Sequence, residues 1–233
     1  MTVFQYHPDI LARYPKVVGG VIVAHGIRNG ASSADLLAAY TNEQQATIAR
    51  IGDTPLSQIE SLAAWRGVFR SFGVDPTQIR SACEAVLRRL TKQGDIPSIN
   101  TLVDIGNLVS IRYGLPVAMF DLRSAQGAIT VRFADGTESF TNLGQTEIAH
   151  PDPGEVIFAD ENGLVFARRW CWRQSDQSAS REDTTDLLVT VEAQHENSRK
   201  EVESAVKDLT ALLQQFTGST LSSALLDNQS GGF

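Results

Sequence analysis

Residues 168–173, which read RRWCWR, bring together three arginines and two of the three tryptophans of the chain. The guanidinium group of arginine is planar and fits phosphate or carboxylate, and it also stacks on rings. Tryptophan offers a flat face on which a nucleic-acid base can stack. The run therefore predicts a site for an anionic ligand with a flat or aromatic part, bound by Arg168, Arg169, Trp170, Trp172 and Arg173.

A strand would divide this run between two faces, because successive side chains of a strand point to opposite sides. One face would carry Phe166, Arg168, Trp170 and Trp172, and the other Arg169, Cys171 and Arg173. Bulky apolar groups at alternate positions are also ordinary in strands. The tryptophans could therefore belong to the core, with the arginines paired to acidic residues. The binding interpretation requires an open cleft beside the run.

Three further polar side chains are candidates for site residues. Ser175 and Asp176 follow the run where the chain must turn, which is the usual place of such residues. Asp176 could orient a water molecule or accept a hydroxyl proton, or it could only shape the turn. Asn107 has apolar neighbours and must be hydrogen-bonded if it is buried, either within the protein or to a ligand.

Metal and cofactor chemistry has no recognisable motif here. The four histidines show no metal-ligand spacing with one another or with cysteine. The glycines form neither a phosphate-cradling loop nor a dinucleotide-binding pattern. We therefore expect no metal and no cofactor. Cys171 could be a nucleophile because neighbouring arginines favour a thiolate, although no histidine base is near it in sequence.

The composition is that of a folded domain that is acidic overall. The chain has 233 residues, 42% of them hydrophobic, and a formal net charge of −7. Such a charge argues against broad, nonspecific nucleic-acid binding but leaves room for a local basic site. No apolar run approaches the roughly 20 residues of a membrane span, and no secretory signal is visible. We expect a cytoplasmic protein with free thiols and no membrane partner, and the oligomeric state stays open.

Hydrophobic periodicity predicts a mostly helical first half and a mostly β second half. Helices are expected at about 33–50, 55–73, 75–94, 99–114 and 198–216. Strands are expected at 19–27 and through the second half, with hairpin turns at Asp135-Gly136 and Asn162-Gly163. The order predicts one α+β domain over residues 1–218, with helices packed on a largely antiparallel or mixed β-sheet. Residues 219–233 are expected to form a mobile tail.

Residues 99–122, which read INTLVDIGNLVSIRYGLPVAMFDL, resemble a motif of the B3/B4 domain, the editing domain of the phenylalanyl-tRNA synthetase beta subunit. The family pattern runs roughly Asn-Pro-Leu-Val-Asp-x-x-Asn-Tyr-Val and then Gly-Gln-Pro-Leu-His-Ala-Phe-Asp. The matching positions are Asn100, Leu102, Val103, Asp104, Asn107, Val109, Gly114, Pro116, Phe120 and Asp121. The likeness continues through "ITVRFADGTE", "LGQTE", "EVIFAD" and "EDTTDLLV", and thus covers about residues 95–195.

The resemblance implies a B3/B4-like fold and a role with charged transfer RNA (tRNA). The synthetase domain hydrolyses the ester of a wrongly charged tRNA without a metal, so a free-standing member would do this in trans. The alternatives are a noncatalytic module that binds the aminoacyl end, and a small-molecule protein that shares only the fold. The aminoacylated 3′ end would supply phosphates for the arginines and an adenine ring for stacking.

Two departures from the family pattern bear on the chemistry that the resemblance implies. The family's histidine falls at Ala118, and its editing-site glutamate falls at Thr190, so that Glu192, two residues on and on the same side, is the nearest replacement. We expect Asp176 or Glu192 to position water, and Asn107 to fix the amino group or a nearby loop. A smaller amino acid than the tyrosine of the synthetase site is expected.

Overall fold

The computed structural model describes residues 3–233 as an α+β structure, which confirms the predicted fold class. Its helices are α1 (Pro8–Arg13), α2 (Ala34–Ile51), α3 (Glu60–Ser71), α4 (Ala82–Gln93), α5 (Thr101–Tyr113) and α6 (Arg199–Thr217). Its strands are β1 (Phe4–Tyr6), β2 (Val18–His25), β3 (Val117–Asp121), β4 (Ile129–Phe133), β5 (Phe140–Thr141), β6 (Ile148–Ala149), β7 (Val156–Ala159), β8 (Val165–Arg168), β9 (Arg173–Gln174), β10 (Asp186–Ala193) and β11 (Thr220–Leu226).

The described strands form two main sheets. One is antiparallel and has the order β11-β2-β10-β3. The other has the order β1-β4-β7-β8-β9, in which only the β1–β4 pair is parallel. β5 and β6 pair separately. All the other strand pairs in the described residues are antiparallel, so the expectation of a largely antiparallel arrangement is confirmed.

β10 lies at the centre of the four-stranded sheet and separates two hydrophobic cores. Leu187, Val189 and Val191 face the first core, which α2, α4, α5 and α6 complete. Leu188 faces the second core, which lies between the two main sheets and includes aromatic residues of α3. Because side chains alternate along a strand, Thr190 and Glu192 share the face of Leu188. β10 is buried on both faces, so its polar side chains need internal partners.

The helix at residues 75–94 begins later than predicted, at Ala82. Asp75 accepts hydrogen bonds from the backbone N–H and the hydroxyl of Thr77, which stabilises a separate turn. The side chain of Ser81 then caps α4 by accepting from the backbone N–H of Glu84 at 3.3 Å. The helix ends at the predicted Gly94, which is left-handed with a φ of 82°. The predicted helix at 55–73 likewise divides into a 3₁₀ turn (Leu56–Gln58) and α3.

One predicted hairpin is confirmed and one is wrong. Asn162-Gly163 joins β7 to β8, which are paired. Asp135-Gly136 turns the chain but joins no paired strands, because β4 pairs with β1 and β7 whereas β5 pairs with β6. The buried Glu138 carboxylate accepts from the backbone N–H groups of Asp135 and Gly136 and thereby holds this turn.

The C-terminal segment also departs from the expectation of a tail. β11 pairs with β2 from Thr220 to Leu226. Farther on, the carbonyl of Phe233 accepts hydrogen bonds from the backbone N–H groups of Val3 and Phe4. The strand was not predicted because the segment consists mostly of small and polar residues, and only Leu226 is fully buried in it.

Candidate functional site

Glu192 is a buried carboxyl group with two neutral donors on one of its oxygens. The hydroxyl of Tyr6 donates to Oε1 at 2.6 Å, and Nε1 of Trp170 donates to the same oxygen at 2.9 Å. The residue is only 2% exposed. Burial raises the pKa of Glu192 to about 7, and the two hydrogen bonds oppose that shift. The group can therefore gain or lose a proton near neutral pH.

Glu192 lies in the wall of a small apolar pocket with a volume of about 60 Å³. Both side-chain hydrogen bonds of Glu192 end on Oε1, and among residues 3–233 no donor bonds to the second oxygen, Oε2. The lining of the pocket is largely apolar, and three of its residues have short side chains: Ala82, Ala118 and Ala167. Thr190, on the same strand as Glu192, also lines the pocket. Most of the remaining lining consists of Phe120, Phe158, Trp170, Cys171, Trp172 and Arg173. The pocket can hold a few water molecules or one small group.

The segment 168–173 does not continue as the predicted strand. β8 ends at Arg168, and the next two residues, Arg169 and Trp170, are left-handed with φ values of 47° and 61°. The alternation of side chains therefore breaks at this point. Trp170 turns inward, is 0% exposed and contacts Trp65 and Tyr14 edge-on, whereas Trp172 is half-buried at the surface. The expectation that both tryptophans share one face is wrong.

The carboxylate of Glu155 neutralises Arg168 and holds this turn. Arg168 donates to it through Nε at 2.9 Å and through Nη2 at 2.7 Å. The backbone N–H of Arg169 donates to the same carboxylate at 3.0 Å, and its guanidinium lies 3.7 Å away. For these two arginines the structure shows the ion-paired alternative. Neither lines the pocket, so neither is placed to touch a ligand there.

Trp172 and Arg173 form the outer rim of the pocket. The guanidinium groups of Arg169 and Arg173 each lie 4.5 Å from the centre of the Trp172 ring, a distance typical of cation–π contact. Arg173 is exposed and donates a hydrogen bond to the side chain of Asn142. Among the described residues, no carboxylate lies within 4 Å of its guanidinium. Of the three arginines in the run, Arg173 is the one left available to an anion.

The other predicted site residues lie outside the pocket. Asp176 accepts from Arg181 at 2.6 Å and from the backbone N–H of Gly144 at 3.0 Å, so it fastens two loops together. Ser175 is buried and bonds to Ser178. Asn107 belongs to α5, which packs against the opposite face of the four-stranded sheet. The structure therefore does not bring these three residues to Glu192.

Cys171 lines the pocket but holds its proton. Burial, and then the charge of Glu192, raise the pKa of Cys171 well above that of a free thiol. A thiolate is the nucleophilic form, so the environment disfavours nucleophilic chemistry at this residue. Within residues 3–233, no three His, Cys, Asp or Glu side chains come together as metal ligands.

A second depression, here called the basic groove, adjoins the pocket. It has a volume of about 540 Å³, and Trp172 and Arg173 belong to both depressions. Trp172 and Arg173 form one wall of the groove, and α4 forms the other. The backbone N–H of Ala82, the first residue of α4, donates to the carbonyl of Cys171 at 2.7 Å and fixes the helix beside residues 168–173. Its lining carries five cations and no carboxylate: Arg80, Arg88, Arg89, Lys92 and Arg173.

The candidate site residues that the sequence did not predict come from distant parts of the chain. Tyr6 lies 186 residues before its partner Glu192, and nothing in its neighbourhood indicates that contact. Glu155 follows Asp152, Pro153 and Gly154, a sequence typical of a turn, and nothing in that sequence indicates the contact with Arg168. A usable signal does exist for α4, because Arg88, Arg89 and Lys92 recur within one turn of a helix.

Comparisons with known proteins agree in pointing to one family. The B3/4 domain model matches residues 64–218. The chain is 30% identical to the phenylalanine–tRNA ligase beta subunit of Shewanella oneidensis, over 50% of this chain and 14% of that protein. It is 35% identical to the Aquifex aeolicus beta subunit over 43% of this chain and 12% of that protein, and 28% identical to the Vibrio cholerae subunit over 67% and 19%. The chain thus spans less than a fifth of the length of these relatives.

A solved N-terminal fragment of the phenylalanyl-tRNA synthetase beta subunit from Pyrococcus horikoshii aligns over 94% of this chain and 50% of that chain. Its TM-score is 0.49 and its sequence identity is 13%. Within the part of this chain that the structure describes, no helix is both long and apolar enough to cross a membrane.

Proposed function

Because the chain belongs to the B3/4 domain family, we propose that it binds the aminoacylated 3′ end of tRNA and hydrolyses the ester of a mischarged aminoacyl group. It would act in trans, in the cytoplasm. The family's relatives named above are subunits of a tRNA ligase, which supplies the substrate class. The single observation that carries the reaction is Glu192, a carboxyl group with a pKa of about 7 in the wall of a pocket.

The proposed reaction uses Glu192 as a general base. A base works best when its pKa lies near the operating pH. Tyr6 and Trp170 hold Oε1, which leaves Oε2 to accept a proton from a water molecule. The oxygen of that water attacks the ester carbonyl carbon and forms a tetrahedral intermediate. The bond from this carbon to the ribose oxygen then breaks, and the ribose oxygen takes the proton that Glu192 holds.

The pocket suits a small aminoacyl side chain. Its volume is about 60 Å³, and alanines stand at three places in its wall. Trp172 borders the entrance, and the exposed guanidinium of Arg173 meets a terminal phosphate or the oxyanion of the intermediate. Two guanidinium groups, those of Arg169 and Arg173, already contact the ring of Trp172. A base would therefore stack on the outer plane of an arginine or displace one, rather than lie directly on the indole.

The second candidate is a noncatalytic module that binds the aminoacyl end. Ala118 favours it, because this residue lines the pocket where the family pattern has a histidine. A methyl group offers no donor or acceptor to the ester. The two candidates share the pocket and the RNA ligand, and they differ in whether the ester is lost.

A panel of mischarged tRNAs, incubated with the purified protein, tests the proposal. For at least one pairing we expect ester loss above the buffer rate, rising with pH through about 7 as Glu192 loses its proton. Glu192→Gln should slow that loss about 100-fold or more, the usual effect of removing a general base. Asp176→Asn is the matched control, because its carboxylate lies outside the pocket and should change the rate only slightly.

The outcomes separate the candidates. Binding across the panel without ester loss would leave the noncatalytic module. Equal activity in Glu192→Gln and in the unmodified protein would exclude Glu192 as the base, even if the ester is hydrolysed.

A further inference from the structure

We propose that the basic groove holds the phosphodiester backbone of a single RNA strand whose 3′ end enters the pocket. The identity of the strand as RNA rests on the proposed function. Four of the cations that line the groove have no part in the proposed reaction: Arg88, Arg89 and Lys92 on α4, and Arg80 before the helix. Arg173, across from them, belongs to both the groove and the rim of the pocket.

The charges of the groove are largely unpaired. Arg88, Lys92 and Arg173 have no carboxylate within 4 Å among the described residues. Arg89 is 3.8 Å from Asp95, and both side chains are at least half exposed, so that pair is weak. Arg80 is 3.8 Å from Glu84, which is already paired with Arg66. Unpaired cations collected on one surface of a chain with a net charge of −7 mark that surface for a polyanion.

The groove also leads toward the pocket that contains Glu192. Arg88 and Lys92 stand one turn apart on α4, where side chains are neighbours about 5–6 Å apart. From there the groove runs to Trp172 and Arg173, which also form the rim of the pocket. A strand that follows these cations therefore delivers its end to the pocket that contains Glu192.

The size of the groove favours one strand over a duplex. Its volume of about 540 Å³ lies within the roughly 300–1,000 Å³ of clefts that bind small molecules, which suits a short stretch of one strand. Gln78 and Gln93 add amide groups to the lining, and Trp172 with its flanking guanidinium planes adds a surface on which bases stack. Cations with stacking planes are the usual combination in single-strand binding sites.

Fluorescence anisotropy with a short, labelled, uncharged single-stranded RNA tests the groove without any requirement for hydrolysis. We expect the double variant Arg88→Gln/Lys92→Gln to lose about tenfold in affinity at moderate salt. Its plot of log affinity against log salt should become less steep by about 1.4, since each phosphate contact on a single strand contributes about 0.7.

Lys200→Gln/Lys207→Gln is the matched control, because it removes the same charge from exposed positions on α6. It should change affinity less than twofold. An unchanged salt slope in the groove variant, or an equal loss in the control, would overturn the inference. So would polyglutamate that competes as well as the RNA, because the groove would then be a surface for any acidic chain. Groove-dependent RNA binding without ester hydrolysis would support the groove and count against the hydrolase proposal.

Discussion

Glu192 is the residue on which the proposed chemistry depends, and its burial has a consequence for stability. The folded state keeps the proton on Glu192 up to about pH 7, whereas the unfolded chain releases it near 4.5. Between these values the folded state binds more protons, so rising pH destabilises it. This is the opposite of the usual behaviour of a salt-bridged carboxylate, which stabilises the fold as pH rises.

We therefore predict that Glu192→Gln becomes more stabilising, relative to the unmodified protein, as pH rises from 4 to 8. The amide does not titrate, and its oxygen still accepts from Tyr6 and Trp170. The relative gain across this range should approach about 3 kcal/mol, since one pKa unit corresponds to about 1.4 kcal/mol. Urea unfolding of both proteins at several pH values measures it. A constant difference would mean that Glu192 titrates as an ordinary carboxyl group.

At the residue scale, sequence reasoning was reliable only over short distances. The twofold alternation of a strand correctly put Glu192 on the same side as Thr190. It did not identify Tyr6, because the β1 strand reaches β10 only through the packing of the two sheets. Asp176 has the residue type and loop position of a catalytic base, but its hydrogen-bond partners, Arg181 and Gly144, can be identified only from the fold.

The turn after β8 is the element that shapes the pocket. Left-handed geometry at a non-glycine residue costs about 1–3 kcal/mol, and two such residues follow each other here. The backbone bond from Arg169 to Glu155 and the bond from Trp170 N–H to the carbonyl of Val156 offset that cost. Sequence periodicity predicts a continuing strand because this anchor lies on a neighbouring loop.

We predict that Glu155→Gln destabilises the protein by about 3 kcal/mol, because it leaves the Arg168 guanidinium without its buried counter-charge. Trp170 fluorescence should shift toward that of a more exposed indole as the turn loosens. Asp152→Asn is the control, since its carboxylate is exposed and lies 3.9 Å from Arg169, and should cost less than about 1 kcal/mol. Equal effects of the two variants would show that Glu155 has no special part in the turn.

Other elements followed their sequence signals more closely. The end of α4 was predicted correctly at Gly94, because a closing glycine is a local signal. The start of α4 was misplaced because Asp75 and Ser81 both have the chemistry of a cap, and only the structure shows which one the helix uses. The last strand was missed because it is an edge strand, largely exposed, with few apolar residues.

At the scale of the whole molecule, the acidic body and the basic groove act on an approaching polyanion in opposite directions. The fold class follows from periodicity, but the groove does not. It forms only because α4 lies against the 168–173 segment through the bond between Ala82 and Cys171. The cations of residues 80–92 and Arg173 look like separate solvated charges in the sequence, but in the fold they form one surface.

The electrostatic field of the whole molecule should also make the association of RNA sensitive to charges outside the groove. Glu147 and Glu182 are exposed and do not line it. Glu147→Gln/Glu182→Gln should raise the association rate of RNA about two- to threefold at low salt, because it weakens long-range repulsion, and should leave dissociation unchanged. Stopped-flow fluorescence measures both rates. At high salt, where screening extends only about 3 Å at 1 M, the gain should disappear. Glu147→Asp/Glu182→Asp keeps the charge and should behave as the unmodified protein does; a gain in that variant, or a change confined to dissociation, would mean that local contacts rather than the molecular field control the rate.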